Sequence, residues 1–332
     1  MLIKFQKKKR VKWMISSIML KLHILNLKIQ LKLMIIDNST LRFSGHDTFH
    51  CKEQWILKGI QLLDKQDDNN IFRETEAIPL LGVGKNMVRS IQHWLRAFGM
   101  VDGENTISEF ANLLFIVEKL DPYLENDGSL WLLQYYLCKT NYSSIFQLIF
   151  SSYFSDKATF DFSEFQILNY VNRLLIEKDQ KEVAEKTFNS DFKVFIRTYV
   201  SPAKNEKTVE DDFNAPLLSL NLVSDTGRKN TSNQTVYRLN RGIQDSVSSE
   251  IFGYCLLNEF EHESSVSYDK IRKTIGSYLC LSNEGLEVLI DKLCDENKDF
   301  VYKDDAGVRQ LQFKNNTKEF KNTILKKHYG VQ

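Results

Sequence analysis

Six polar side chains within one short segment have the chemistry to contact a nucleic acid: Lys85, Asn86, Arg89, Ser90, His93 and Arg96. Met87, Val88, Ile91, Trp94, Leu95 and Phe98 recur among them at helical spacing. That spacing gathers the apolar residues into one stripe of a helix Lys85–Phe98. The other face then shows Lys85, Asn86, Arg89, Gln92, His93 and Arg96, with no acid among them. Free N–H groups at the start of such a helix attract a phosphate. Asn86, Arg89 and Ser90 would lie nearest the base edges, because recognition helices read with their amino-terminal half. Asn pairs with adenine and Arg with guanine. The plainer alternative is an amphipathic helix with a solvated basic face. Gly82-Val83-Gly84-Lys85 lacks the phosphate-loop spacing and has Asn86 at the metal-binding Ser/Thr position, so nucleotide hydrolysis is rejected there.

Two other constellations have chemical potential. In Ser44-Gly45-His46-Asp47-Thr48-Phe49, His46 and Asp47 could serve as a base and its partner, or bind a metal. A capped start to the first helix is the preferred reading of this segment. Glu210, Asp211 and Asp212 are adjacent acids of the kind that hold magnesium for in-line phosphodiester cleavage. Most acidic runs are solvated loops, and the sequence has no PD-(D/E)xK or HNH arrangement. Catalytic residues therefore stay open, with Glu210, Asp211, Asp212 and His46 as candidates and Asp211 and Asp212 as the metal candidates. Arg197 and Tyr199 could complete a phosphate site, or simply end a helix with a snorkelling arginine.

The elements that must hold these residues are mostly helical. The chain has only 14 Gly and 4 Pro in 332 residues, and few breakers favour helices. Trp55–Leu63 reads as a first helix and Glu74–Leu81 as a second, weakened near its end by Pro79. Gly82–Gly84 is a turn, and Thr106–Phe115 suits the strand and helix after a wing. Asp127 is placed to cap a helix through Tyr136. Further helical patterns cover Ser143–Phe154, Glu164–Lys178 and Lys181–Tyr199. Val247–Phe260, Tyr268–Ile275 and Asn283–Cys294 read as helices, followed by strands Phe300–Lys303 and Val308–Phe313 around a turn. The expected fold is mainly α with small β-hairpins. It has an N-terminal winged helix-turn-helix domain (34–125) and a helical middle domain (126–223). A polar linker (224–235) leads to a C-terminal winged-helix-like domain (236–332). The last unit carries Lys270, Arg272 and Lys273 among many acids, so packing or homodimerisation is at least as good a role for it as DNA contact.

Bulk charge does not carry DNA binding. Residues 1–33 hold nine basic residues and no acid, which leaves 35 basic against 43 acidic residues from Met34 onward. Any nucleic-acid contact must come from a local basic surface. Lysines interrupt the apolar run of 1–33, so no membrane span is expected. A basic surface-lying helix is one reading of this segment. A non-native or disordered extension ahead of a natural start at Met34 is the preferred one. The five cysteines have no C-x-x-C spacing, which argues against a zinc ribbon and fits a reducing, cytoplasmic setting.

Phe43-Ser44-Gly45-His46-Asp47-Thr48-Phe49, Trp55-Ile56-Leu57-Lys58-Gly59 and Leu81-Gly82-Val83-Gly84-Lys85-Asn86-Met87-Val88 together resemble the SspB-like family, long catalogued as a domain of unknown function. Asp127-Gly128-Ser129-Leu130-Trp131 and Glu210-Asp211-Asp212-Phe213 extend the likeness. Asp47 stands where the family usually has Glu. The resemblance implies a bacterial DNA phosphorothioation and anti-phage defence system. It implies DNA binding and a magnesium-dependent nick that opens a strand for sulfur insertion. The implied partners are a cysteine desulfurase, an ATPase and a phosphoadenosine-phosphosulfate-reductase-like sulfurtransferase. A helix-turn-helix transcriptional regulator, or a scaffold for the sulfur-transfer enzymes, are the alternative functions.

Overall fold

The structure is a computed structural model that describes residues 40–66, 70–73, 75–155, 157–202, 215–305 and 307–331. The basic segment 1–33, part of the 67–70 loop, Glu74, and the candidate acids Glu210, Asp211 and Asp212 lie outside the described residues. The chain divides into Met1–Leu41 and Arg42–Gln332, and the fold below is that of the second unit.

Among the described residues the first three α-helices are α1 (Glu53–Lys65), α2 (Ala77–Leu81) and α3 (Lys85–Ala97). Trp55, Ile56, Ile60 and Leu63 bury the inner face of α1, which packs against α2 and α3. The second helix is shorter than the expected Glu74–Leu81. Pro79 is the reason: it lacks an N–H and clashes with the carbonyl four residues back, so it is tolerated only in a first turn. Ile71–Arg73 forms a separate 3-10 turn instead. Gly82 then reverses the chain at φ 66°, its N–H donating to the Ile78 carbonyl at 3.0 Å. A left-handed residue of this kind ends a helix without a Cβ penalty. After α3, an antiparallel bridge joins Val101 to Ile107. The short helix α4 (Glu109–Ala111) continues as a π-helical turn to Ile116.

The centre is α5 (Asp127–Lys139), in which Leu130, Trp131, Leu132, Leu133, Gln134, Tyr135, Leu137 and Cys138 are all buried. A helix apolar all round belongs inside. Its N-cap is Asn126, whose side chain accepts the Gly128 N–H at 2.7 Å, and not Asp127 as expected. Asp127 is instead the first helical residue, where its charge suits the dipole. Around α5 lie α6 (Ser144–Gln147, extended by a π-helical turn), α7 (Glu164–Glu177) and α8 (Glu185–Tyr199). Phe146, Phe150, Phe162, Phe195 and Tyr199 interlock with ring centroids 5–7 Å apart. Tyr199 is buried and its hydroxyl donates to Gln134 Oε1 at 2.5 Å. It thus serves the core, while Arg197 is exposed.

Residues 224–235, polar enough to suggest a linker, lie largely in a hairpin of β2 (Val223–Lys229) and β3 (Thr235–Leu239). With β1 (Asp161–Phe162) they form an antiparallel sheet in the order β1-β3-β2. Arg228 and Arg238 both pair with Asp161 across it. The composition is polar because much of the hairpin faces solvent.

The remaining elements follow as α9 (Ser249–Glu259), β4 (Ser265–Ser267), α10 (Tyr268–Ile271, extended by a π-helical turn), α11 (Asn283–Glu296), β5 (Phe300–Asp305), β6 (Val308–Phe313) and α12 (Lys318–His328). Their sheet has the order β4-β6-β5. The closing helix α12 ends on the middle helices. His328 bonds Asn126 and Ser248 at 2.8 and 2.9 Å, and Tyr329 meets Ser129 at 2.7 Å. No helix among the described residues is long and apolar enough to cross a membrane.

Candidate nucleic-acid interface

Helix α3 opens on Gly84, which has no side chain with which to cap it. The first helical bond runs from the Val88 N–H to the Gly84 carbonyl at 3.0 Å. The N–H groups of Lys85, Asn86 and Met87 therefore lack helical acceptors. Lys85, Asn86 and Arg89 are exposed around this end, and the first turn holds no acid. Cationic side chains and uncapped N–H groups converge here, an arrangement that can hold a phosphate.

The other three candidates are placed differently from the sequence expectation. Ser90 and His93 are buried, at 0% and 3% exposure. Arg96 is half-buried and turns onto the loop after α3. Its Nη2 donates to the Gly103 carbonyl at 2.8 Å and to Asn105 Oδ1 at 2.9 Å. Gln92 Nε2 donates to the same Asn105 oxygen at 3.0 Å. The tip of that loop carries Asp102 and Glu104, both exposed. The Asp102 carboxyl is held below its usual range chiefly by the Thr106 N–H, and it also accepts the Glu104 N–H. The basic face thus divides: Lys85, Asn86 and Arg89 meet solvent, while Gln92 and Arg96 brace a loop.

His93 is enclosed because α3 is covered on two sides, by α1 and by the 42–51 segment. Its ring lies edge-on to His46 at 5.6 Å and beside Tyr142 at 5.2 Å. Burial pushes its pKa down to about 3, helped by the charges of Arg42 and Arg96 and by the His46 ring beside it. The unfolded chain therefore binds a proton near pH 6.5 that the fold refuses. This contribution to stability is complete above pH 6.5 and is lost as pH falls toward the folded value. Between about pH 7.5 and 4.5 it amounts to about 2–3 kcal/mol. Urea unfolding at both pH values should show that much extra acid loss in the wild type relative to His93→Gln. An equal loss in both proteins would remove His93 as its source.

His46 is buried and its partner is not Asp47. His46 Nε2 lies 3.1 Å from Asp191 Oδ1 on α8. The Thr48 N–H donates to His46 Nδ1 at 3.1 Å. An N–H can only donate, so the ring proton sits on Nε2 and is donated to Asp191. Asp191 also accepts the Ser44 N–H at 2.9 and 3.0 Å. Every polar atom of this pair is spent inside the protein, which does not suit a general base acting on substrate. Asp191 is not among the residues that the sequence motifs point to. Its signal was an acid on the buried face of an amphipathic helix, beside Phe188, Phe192 and Phe195.

Among the described residues no group of three or more His, Cys, Asp or Glu side chains could hold a metal ion. All five cysteines are free thiols. Burial pushes those of Cys51, Cys138 and Cys255 well above the ordinary value, so they are poor nucleophiles.

No curated protein matches the chain. Two solved structures share its fold, one of SspB and one of magnesium ion-bound SspB. Each aligns with a TM-score of 0.73 at 20% sequence identity, over 88% of this chain and 88% of the other. The family described as "Protein of unknown function (DUF4007)" matches residues 43–329. The chain therefore belongs to the DUF4007 family and shares its fold with SspB.

Proposed function

We propose that this protein is a DNA-binding component of a bacterial DNA phosphorothioation and anti-phage defence system. In this reading, residues 34–125 form a winged helix-turn-helix domain whose second and third helices are α2 and α3. The 101–107 loop is its wing. One observation carries the reading: the exposed, acid-free, uncapped start of α3 with Lys85, Asn86 and Arg89. The order α9-β4-α10-α11-β5-β6, with sheet order β4-β6-β5, supports a second winged-helix unit within 236–332. Its third helix α11 exposes Glu284, Glu287, Asp291 and Asp295, which would repel phosphates. DNA is therefore assigned to α3 alone, and residues 126–223 to a helical domain between the two. The free thiols fit a reducing cytoplasm.

The test of DNA binding is a salt titration of affinity for duplex DNA, with Lys85 and Arg89 substituted. In the phosphorothioation setting, the partners are the cysteine desulfurase, the ATPase and the sulfurtransferase of the same pathway. Magnesium-dependent nicking is the activity proposed, with Glu210, Asp211 and Asp212 as the candidate acids. Supercoiled plasmid should be relaxed with magnesium and preserved with chelator. Asp211→Ala/Asp212→Ala should abolish the relaxation while leaving DNA affinity in place. Full nicking by that double variant would remove these acids from the mechanism.

A further inference from the structure

The motif Ser44-Gly45-His46-Asp47-Thr48 takes no part in the DNA contact proposed above, yet it is built with care. Four of its five residues have positive φ: Ser44 at 71°, Gly45 at 99°, Asp47 at 45° and Thr48 at 67°. Only Gly adopts such angles freely, and a β-branched residue there is an outlier. Strain of this kind persists only where surrounding contacts over-determine the backbone.

Those contacts run to three separate elements. Toward α8, Asp191 accepts from Ser44 and His46, and Phe43 packs on Phe188 with centroids 6.2 Å apart. Toward α6, Arg42 and Ser144 bond reciprocally: the Arg42 N–H donates to Ser144 Oγ at 2.8 Å and the Ser144 N–H to the Arg42 carbonyl at 3.1 Å. Toward α3, Trp94 Nε1 donates to the Phe49 carbonyl at 3.1 Å. Gly45 lies so close to α3 that a Cβ added to it would stand 2.9 Å from His93 Nδ1. The segment is a strap with one edge on α3 and the other on α6 and α8.

We infer that the 42–51 strap is a positioning clamp, in which Asp191 on α8, acting through Ser44 and His46, fixes the pose of α3. The orientation of the DNA-contacting helix is then set by the middle helices as well as by α1 and α2. His46 and Asp191 are positioning residues and touch no ligand. A partner that shifted α8 would move α3 with it. The DNA arm of the inference rests on the reading of α3 as the DNA-contacting helix.

The test uses the full chain with Asp191→Asn and, separately, His46→Gln, both close in size to the native residue. Amide hydrogen exchange is followed by mass spectrometry over peptides of α3 and the strap, with peptides of α9 to α12 as the internal reference. Exchange in α3 and the strap should rise at least about 10-fold while the reference peptides hold, since local opening leaves other regions protected. A purely global loss of stability would accelerate the most protected amides everywhere. In parallel, DNA affinity should fall about 10-fold with the salt slope kept, because no phosphate-contacting cation is removed. The inference is overturned if α3 exchanges as in the wild type in both variants, or if all regions accelerate together. It is likewise overturned if wild-type DNA affinity is retained while Lys85→Ala weakens binding. If even the wild type fails to bind DNA, the proposed function falls and the exchange data alone decide the clamp.

Discussion

The double variant Lys85→Ala/Arg89→Ala is expected to bind duplex DNA about 100-fold more weakly than the wild type at low salt. The slope of log affinity against log salt should become shallower by roughly two. Both side chains are exposed. Substituting them should change folding stability by no more than about 0.5 kcal/mol, so an affinity loss reads contact rather than unfolding. Each cation that neutralises a phosphate releases close to one counterion on binding. The full chain has 44 basic against 43 acidic residues, so bulk charge does not compensate for the loss. Arg96→Ala makes the contrast. Its guanidinium is committed to Gly103 and Asn105, so its removal should loosen the 101–107 loop and leave the salt slope nearly unchanged. Gel shifts unaltered by the double substitution would end the assignment of α3 as the DNA-contacting helix.

The difference between Arg89 and Arg96 also marks where the sequence stops being informative. Spacing located α3 within a residue of its ends, because an apolar stripe at i, i+4 and i+7 is a local property. Ser90 is expected near the bases only from its place in the amino-terminal half, while the same wheel places His93 on the open side, because it allows one buried face. Helix α3 has two, and the second is supplied by a strap whose geometry depends on Asp191. That bond joins residues 145 positions apart, and no local period encodes it. The hairpin β2–β3 was masked by composition: an exposed sheet can be as polar as a linker. The effect of Pro79 falls upstream of itself, where it removes the first part of the expected helix. Helix α12 is not predicted from local pattern, because its role is defined by distant partners such as Asn126 and Ser129. For the candidate site, the exposed cations at the start of α3 are legible in the sequence, and the separation of solvent-facing from loop-bracing residues is not.

Trp94→Ala is expected to destabilise the protein by about 3–5 kcal/mol, as for other fully buried tryptophans truncated to alanine. The indole is wholly buried, stacks on Phe98 with centroids 5.5 Å apart and meets Phe146 edge-on at 5.9 Å. Its loss empties the centre of the packing between α3 and α6, and it leaves the Phe49 carbonyl without the indole donor. Trp94→Phe separates the two effects. It keeps most of the apolar volume but removes the N–H, and should cost about 1–3 kcal/mol, much of it the penalty of the orphaned carbonyl. The two substitutions should also differ in where they act. Trp94→Ala should lower the urea midpoint of the whole chain, since Phe146 continues the same aromatic core through Phe195 to Tyr199. Trp94→Phe should chiefly speed amide exchange in the strap, because the lost bond is the one that ties Phe49 to α3. Equal urea midpoints for Trp94→Ala and the wild type would mean that α3 is held by α1 and α2 alone, and that the strap contributes little to its anchorage.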